Sequence, residues 1–555
     1  MAGVAPIATL AAAPHRDAAS TRTLYVTGWI VLALLLAIGV PLLLCMPPWA
    51  DVTMYDVAAQ TLLRGGVMYR DVFDTNLPGA IWVQTIVRAL FGWRYDTLRA
   101  FDLLVVSAVL WLLLEWIREL GARRTTRVWV AVSVYAYYLF QSEAIHCQRD
   151  VWMLLPVLLA LRIRRRQVRA LGTRVPRSVV LASTCEGLLW GAAIWIKPFA
   201  LVPAMGCWLT SVRLSRRMNV ARRDLLLDAA GLFAGGTIAG VLGIAWLVRT
   251  GAFPYFVDTM FAWNRDYAAH VYGFKARRRM IVASVKYNMP WILVHAAAAP
   301  VAFAALLHRS RETRGRLSRA AVAGPLLGAL YWGWLVQAAL LQPRLHDYQV
   351  ASMLLIAMPL GLAIGLRRIP HRRVRRVIIA LAVAFVAFRH PVFRLDRLAL
   401  LPDAVSGGNT VALRDRLSLM SLPNSNGLTN WTDLTRVAEF LASQRAGDGE
   451  VLCFNESTHP LYLMLNLTPA FRFIQSNLVV EVLESHRDRL MEELALSRAR
   501  FVVTDLSSIL ASPDTPTSAV PEPWNERYPW TLPVVFRAGR YFVHEPAGPV
   551  TRFWR

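Results

Sequence analysis

The sequence predicts an all-α polytopic membrane bundle followed by a small soluble α/β domain, and three observations carry that prediction. Hydrophobic residues make up 56% of the 555, and the mean hydropathy is +0.40, both outside the range of ordinary soluble domains. Apolar runs of bilayer-spanning length recur from Leu24 to residue 389, divided by short arginine-rich segments. Beyond residue 390 or so the composition turns to that of a water-soluble chain.

Taken in order, residues 1–23 are polar and read as a cytoplasmic tail. Leu24 to Met46 is too long for a signal-peptide core and no A-x-A cleavage site follows, so it reads as a retained signal-anchor helix. Further runs at 98–117, 128–142, 151–163, 178–196, 198–212, 225–247, 289–307, 320–341, 350–366 and 377–389 bring the expectation to about eleven spans. Arginines crowd every second connection, at Arg118 to Arg127, Arg162 to Arg177, Arg213 to Arg223, Arg309 to Arg319 and Arg367 to Arg376. The positive-inside rule makes those connections cytoplasmic. It places the N-terminus inside, and segments 47–97, 143–150, 248–288, 342–349 and everything after 390 outside. The expected layout is a transmembrane domain over 24–390 with a first outer loop at 47–97, a linker at 391–427, and an outer-face α/β domain at 428–555. In that domain Thr432 to Ser443 and Glu481 to Leu496 read as helices. Val451 to Asn455, Phe501 to Thr504 and Tyr541 to His544 read as strands.

The formal net charge of +25 does not point to nucleic acid, because the basic residues are cut apart by apolar spans instead of forming one face. The five cysteines show neither CxxC nor zinc-site spacing, so no disulfide framework and no metal finger is expected.

The stretch Trp49 to Trp82 concentrates acids just after the first span: Asp51, Asp56, Asp71 and Asp74, with Asp96 beyond it. Val52, Tyr55, Ala59 and Leu62 recur at helical spacing, which predicts a short amphipathic helix over Val52 to Arg64 lying at the membrane interface. Asp51 is expected at its N-cap and Gly65 just past its C-terminus. Carboxylates held there suit chemistry on a lipid-borne substrate.

The pattern of Asp51, then Tyr55-Asp56, Gly66, Tyr69-Arg70-Asp71, Asp74 and Pro78-Gly79 in a first outer loop resembles the GT-C glycosyltransferases. Within that fold it is similar to the branch of protein O-mannosyltransferases, lipid A aminoarabinose transferases and rhizobial lipopolysaccharide sugar transferases. Gln148-Arg149-Asp150, Trp195-Ile196-Lys197-Pro198 and His346-Asp347-Tyr348 extend the resemblance, which covers roughly residues 24–390. The chain departs from the pattern at Asn76, near which family members often carry a lysine.

The resemblance implies transfer of a sugar from a polyprenyl-phosphate carrier to a glycan, lipid or protein acceptor at the outer face of the bacterial cytoplasmic membrane. It implies no required cofactor. Asp51 is the expected general base, which removes the acceptor proton, and one residue can serve both as base and as cap. Asp150 is the second catalytic candidate, set against a local ion pair with Arg149. Lys197 is costly between two apolar runs unless it meets an anion or snorkels. It is the expected phosphate contact, with Arg149, Arg344 and His346 around it and Asp74 and Tyr55 as further substrate contacts. Glu143 is a weaker candidate, and Glu186, a mid-span acid, has no evident partner. The rival from another class is a transporter or flippase of lipid-linked glycans. The absence of internal repeats and the gathering of charges at one face favour the enzyme. An inactive GT-C relative acting as a scaffold stays open because of Asn76.

Overall fold

Backbone groups inside a bilayer have no water to bond, so long apolar stretches must fold as helices. The computed structural model describes residues 17–172, 175–269, 274–307, 317–342, 347–389, 393–421, 428–474, 483–497, 499–508 and 528–546. Helices dominate them. In chain order they are α1 (Asp17–Cys45), α2 (Ala50–Leu63), α3 (Gly79–Phe91), α4 (Tyr95–Glu119), α5 (Arg124–Tyr138), α6 (Leu154–Ala170), α7 (Pro176–Ile196), α8 (Leu201–Arg217), α9 (Arg222–Arg249), α10 (Phe274–Tyr287), α11 (Val294–Leu307), α12 (Arg319–Leu335), α13 (Asp347–Leu360) and α14 (Arg372–Arg389), joined by short helical turns.

Among the described residues, six helical stretches are long and apolar enough to cross a membrane: Thr21–Cys45, Tyr95–Glu119, Pro176–Ile196, Arg222–Arg249, Arg319–Leu341 and Gln349–Arg368. α10 and α11, bent by 104°, make a seventh if they form one broken span. The expected count of about eleven is not reached on length and composition. The other four expected spans fall on α5, α6, α8 and α14, which are 15, 17, 17 and 18 residues long. α6 and α8 give their last turns to arginine, and α14 opens on Arg372, Arg373, Arg375 and Arg376.

α7 and α9 pack at close range because glycines line the contact. A Cβ on Gly187 would come within 2.1 Å of the Leu232 carbonyl oxygen, and one on Gly235 within 2.0 Å of that of Thr184. Small residues at such positions let two backbones approach within a membrane. The arginine-rich helix ends meet one another. Arg367 donates to Gly121 O and Thr126 Oγ1, Arg213 to Leu306 O, and Arg165 pairs with Glu119 while lying over the Trp116 ring.

At the opposite end the chain after α14 does not simply link two domains. Leu395–Leu398, Leu401–Ser406 and α15 (Val411–Ser421) are helical where a linker is expected. They dock on the bundle through Arg397 Nη1 to Phe140 O (2.8 Å), Asn409 Nδ2 to Leu44 O (3.4 Å) and Ser418 Oγ to Glu143 Oε1 (3.1 Å). Asp415 on α15 accepts from the backbone N–H groups of Trp431 and Thr432, the first turn of α16 (Trp431–Ser443). A four-stranded sheet follows, in the order β1 (Val451–Cys453), β2 (Phe501–Asp505), β4 (Tyr541–His544), β3 (Val534–Ala538). β1 and β2 are parallel and the other pairs antiparallel. α17 (Arg487–Ala495) is the core of the helix expected over 481–496. β3 is absent from the sequence reading because its side chains mostly face solvent and lack a clear period-2 pattern.

Candidate active site

Pro47 and Pro48 stop α1, and the chain re-enters a helix at once, so α2 starts earlier than its apolar spacing suggests. Trp49, in extended backbone, is the N-cap and makes no side-chain cap. Asp51 therefore lies in the first turn and is not the cap. Its carboxylate gains from the helix N-terminus and has no hydrogen-bond or ion-pair partner among the described residues. α2 is also not an interfacial surface helix, since every residue from Val52 to Thr61 is buried. One side packs on α3 and the other on Pro460–Met464 of the C-terminal domain.

Asp56 locks α2 in place. Its oxygens receive Arg88 Nε (2.8 Å) and Nη2 (2.5 Å) and Gln84 Nε2 (3.0 Å), all from α3 and all buried. Gln84 Nε2 also reaches Val52 O, one residue from Asp51. α3 is positioned in turn by Gly79. A Cβ there would lie 2.4 Å from the backbone of Trp195, so only glycine lets α3 meet the chain just before Lys197. That accounts for the Pro78-Gly79 pair.

Gly65, at φ +85°, ends α2 as expected, and the loop beyond it is tightly tied. Tyr69 holds a left-handed backbone at φ +67°, a conformation that costs a bulky residue on the order of 1 kcal/mol and persists only where contacts enforce it. Tyr69 OH donates to Asn76 O (2.8 Å), and Asn76 N (3.1 Å) and Nδ2 (2.7 Å) donate to Asp74 Oδ1. Asp74 Oδ2 is buried and has no partner among the described residues. Burial pushes the Asp74 carboxyl up to about 6, against the opposing charge of Arg149 and the two Asn76 bonds.

Asp150, fully buried on the short helix Arg149–Trp152, takes Lys197 Nζ on both oxygens at 2.8 Å. The carboxylate thus pairs across the bundle with the lysine and not with its neighbour Arg149. Lys197, itself buried, does not snorkel. Arg149 instead acts electrostatically on Tyr55, Asp74 and Lys197, and Asp51 acts on the same three groups. Burial raises the Tyr55 hydroxyl well above its usual value, with Arg149 opposing. Asp51, Tyr55, Asp74, Arg149, Asp150 and Lys197, from four separate stretches, are thereby brought to one place. Arg344 and His346 lie outside the described residues. Among the described residues, no three His, Cys, Asp or Glu side chains converge as a metal site.

The other two acids resolve differently. Glu143 is buried, takes Ser418 on one oxygen and is pushed up to about 8 by burial, so it is a neutral acid near pH 7. Glu186 has partners after all: Arg164 Nε at 2.9 Å and Trp190 Nε1 at 3.2 Å, with Asp228 of α9 on the same guanidinium.

The sequence reading misses what the C-terminal domain brings. Arg472 Nη1 donates to Tyr69 O (3.0 Å), and Phe73 N donates to Arg472 O (2.8 Å). Gln60 Nε2 donates to Asn466 Oδ1 (2.7 Å), and Arg64 pairs with Asp448 (3.1 Å). Asn264, from the segment 248–288, donates through Nδ2 to Thr75 O (2.9 Å). All these contacts join residues far apart in sequence and leave no periodic trace.

No family model matches the chain, and no curated protein matches it in sequence. Solved structures do. The crystal structure of ArnT from Cupriavidus metallidurans bound to undecaprenyl phosphate aligns over 93% of this chain and 98% of its own, at 14% identity and a TM-score of 0.52. The same protein in the apo state aligns over 94% and 98%, at 15% identity and 0.49. The archaeal oligosaccharyltransferase AglB from Archaeoglobus fulgidus, in complex with an inhibitory peptide and a dolichol-phosphate, aligns over 86% and 69%, at 12% identity and 0.44. The chain has the GT-C fold that its motifs resemble, with ArnT bound to undecaprenyl phosphate carrying the comparison.

Proposed function

We propose that this chain is a membrane glycosyltransferase that moves a sugar from a polyprenyl-phosphate carrier to a glycan, lipid or protein acceptor. We place it in the bacterial cytoplasmic membrane with the N-terminus inside and the C-terminal domain outside. The observation that carries the reading is the convergence of an unpaired carboxylate, Asp51, with the cations Arg149 and Lys197 at the end of a GT-C bundle that faces the C-terminal domain. A solved protein of the same fold is bound to undecaprenyl phosphate.

In the proposed reaction the acceptor hydroxyl gives its proton to Asp51 as its oxygen bonds to the sugar's anomeric carbon. The bond from that carbon to the phosphate oxygen breaks, and the polyprenyl phosphate leaves with the electron pair. Removing the proton is general-base work, and the charge on the leaving phosphate calls for fixed cations. Lys197 has three N–H donors and Asp150 engages it with two oxygens, so one donor remains for a phosphate oxygen. Arg149 supplies the second cation, with Arg344 and His346 as further candidates. It stands where the missing lysine near Asn76 would leave the phosphate short of charge. Asp74, when ionised, only accepts hydrogen bonds and repels phosphate, so it suits a sugar hydroxyl, beside Tyr55.

The test is to incubate the purified full chain in nanodiscs with a panel of polyprenyl-phosphate sugars and a lipid or glycan acceptor, and to measure free polyprenyl phosphate. Release that needs acceptor and is lost in Asp51→Asn supports the reading. Movement of fluorescent lipid-linked sugar between leaflets without release would replace it with the flippase alternative.

A further inference from the structure

The C-terminal domain touches the candidate site through one unbroken run of hydrogen bonds. Glu493 on α17 holds Arg472 with two bonds, to Nε (2.7 Å) and Nη2 (2.5 Å). The remaining nitrogen, Nη1, donates to Tyr69 O. The Tyr69 hydroxyl bonds Asn76 O, and Asn76 fixes Asp74 Oδ1 from its backbone and its side chain. The Arg472 backbone closes the same contact from the other side by accepting from Phe73 N. Its guanidinium lies over the Phe73, Trp263 and Phe473 rings, at 5.8, 5.5 and 4.5 Å. Trp263 and Phe473 are almost fully buried and Phe73 nearly so, so this is a packed joint and not a surface graze. The anchored residue, Tyr69, is also one of five described non-glycine residues with a left-handed backbone, and the only aromatic one among them. Such a residue keeps its conformation only while its surroundings over-determine it.

We infer that Arg472 is a positioning residue: through Tyr69 and Asn76 it sets the loop that aims Asp74 into the site, making the C-terminal domain a brace for the reaction. The inference rests on the proposed function for its kinetic consequence but not for its structural one. A guanidinium can bind a carboxylate with two nitrogens and still offer a third to a carbonyl, which no other side chain does in one plane. Loosening the brace hydrates Asp74, whose neighbours in charge are Arg149 and Asp51, and lets its carboxyl fall back toward the ordinary range.

The experiment compares the full chain in nanodiscs with Arg472→Met, Arg472→Lys, Glu493→Gln and, as a control at the same domain contact, Asp448→Asn. Hydrogen exchange over residues 66–76 and polyprenyl-phosphate release are both read. Arg472→Met keeps the stem on the rings but loses the bonds. It is expected to speed exchange of that segment by about tenfold, the loss of one well-placed hydrogen bond. It should also lower kcat by about ten- to a hundredfold with little change in donor KM, as misplacement by about 1 Å does. The acid limb of its pH profile should move down. Arg472→Lys recovers part of both effects, Glu493→Gln gives a weaker version, and Asp448→Asn gives neither. Unchanged exchange in Arg472→Met and Glu493→Gln overturns the inference, as does equal loosening in Asp448→Asn. If no sugar donor is used at all, the proposed function fails, and the exchange data alone still decide whether the brace exists.

Discussion

Two clusters of charge lie apart along α7, one around Glu186 at its middle and one around Lys197 just past its end, and the contrast between them is that between a strut and the candidate site. In the first, Arg164 of α6 joins Glu186 of α7 and Asp228 of α9. Both carboxylates there lie against the same cation: Arg164 Nε donates to Glu186 Oε1 (2.9 Å), Arg164 Nη1 to Asp228 Oδ2 (2.6 Å) and Ser183 to Asp228 Oδ1 (2.5 Å). Glu186 Oε2 accepts no hydrogen bond but sits 2.8 Å from Arg164 Nε in the ion pair. In the second, Lys197 and Asp150 are paired as tightly, but beside them Asp51 is unpartnered and Asp74 Oδ2 is empty-handed. A network built only to hold helices together keeps each carboxylate against a cation, as both are at Arg164, because a buried charge left without one costs free energy. Under the proposed function, the Asp51 carboxylate and the free Asp74 oxygen beside Lys197 and Arg149 are what the substrate would meet.

The sharpest way to break that comparison is Asp51→Asn. Since Asp51 carries no cap and no ion pair, the substitution leaves packing alone. It should lower transfer by about 10²- to 10⁴-fold, the usual worth of a general base, with membrane insertion unchanged and stability lowered by no more than about 1 kcal/mol, the worth of a first-turn carboxylate. Turnover near wild type would make the unpartnered carboxylate a mere surface acid and erase the contrast.

Arg164→Met should do the reverse. Removing the single cation strands two buried carboxylates, which costs about 3–5 kcal/mol of stability by analogy with other broken buried pairs. Thermal unfolding of the detergent-solubilised chain should drop well below wild type, while the surviving folded fraction keeps its specific activity. Loss of activity in the folded fraction would mean that the strut communicates with the site.

What the sequence discloses of these two clusters differs for a physical reason. Asp51, Asp150 and Lys197 stand out because each is a charge at the edge of an apolar run, where its cost is visible one residue at a time. Glu186 stands out equally but looks unpaired. Its partner Arg164 hides in a basic run (Arg162 to Arg169) that topology alone explains, and the pairing depends on how α6 and α7 cross. The same limit applies to α2. Its apolar spacing gives a helix, but its full burial follows from a domain that starts hundreds of residues later, through contacts such as Gln60 with Asn466. Short spans are a third case: α5, α6 and α8 carry apolar runs, but each helix is short and includes arginines at one end, so neither length nor composition carries it across a membrane alone.

The empty oxygen of Asp74 makes a pH-dependent prediction. Its folded carboxyl titrates at about 6, above the value near 4 of an unfolded aspartate, so the fold disfavours the ionised form. This group's contribution to stability is fully present below about pH 4 and is lost as pH rises through about 6. Asp74→Asn removes the penalty. It should be more stable than wild type at pH 7.5 by at most about 3 kcal/mol, read as a higher unfolding temperature, and the two proteins should converge toward pH 4. A constant difference across that range would mean that Asp74 finds a donor, and the site would then be as closed as the arginine-rich cluster.

The smallest effect concerns how the soluble domain is hung. Asp415 accepts from the first backbone N–H groups of α16 and from the Thr432 hydroxyl, and Asn430 caps the same helix through Asp433 N at 2.9 Å. Two acceptors share one helix N-terminus, so Asp415→Ala removes one of them and should cost about 1 kcal/mol, the ordinary worth of a cap. The loss should appear as faster hydrogen exchange in the first turn of α16, with transfer activity unchanged, because Asp415 reaches neither the Tyr69 loop nor the cation pair. If transfer falls together with exchange protection, α15 and α16 belong to the same brace as Arg472, and the boundary between the open end and the domain above it moves from the Asp74 loop to the chain after α14.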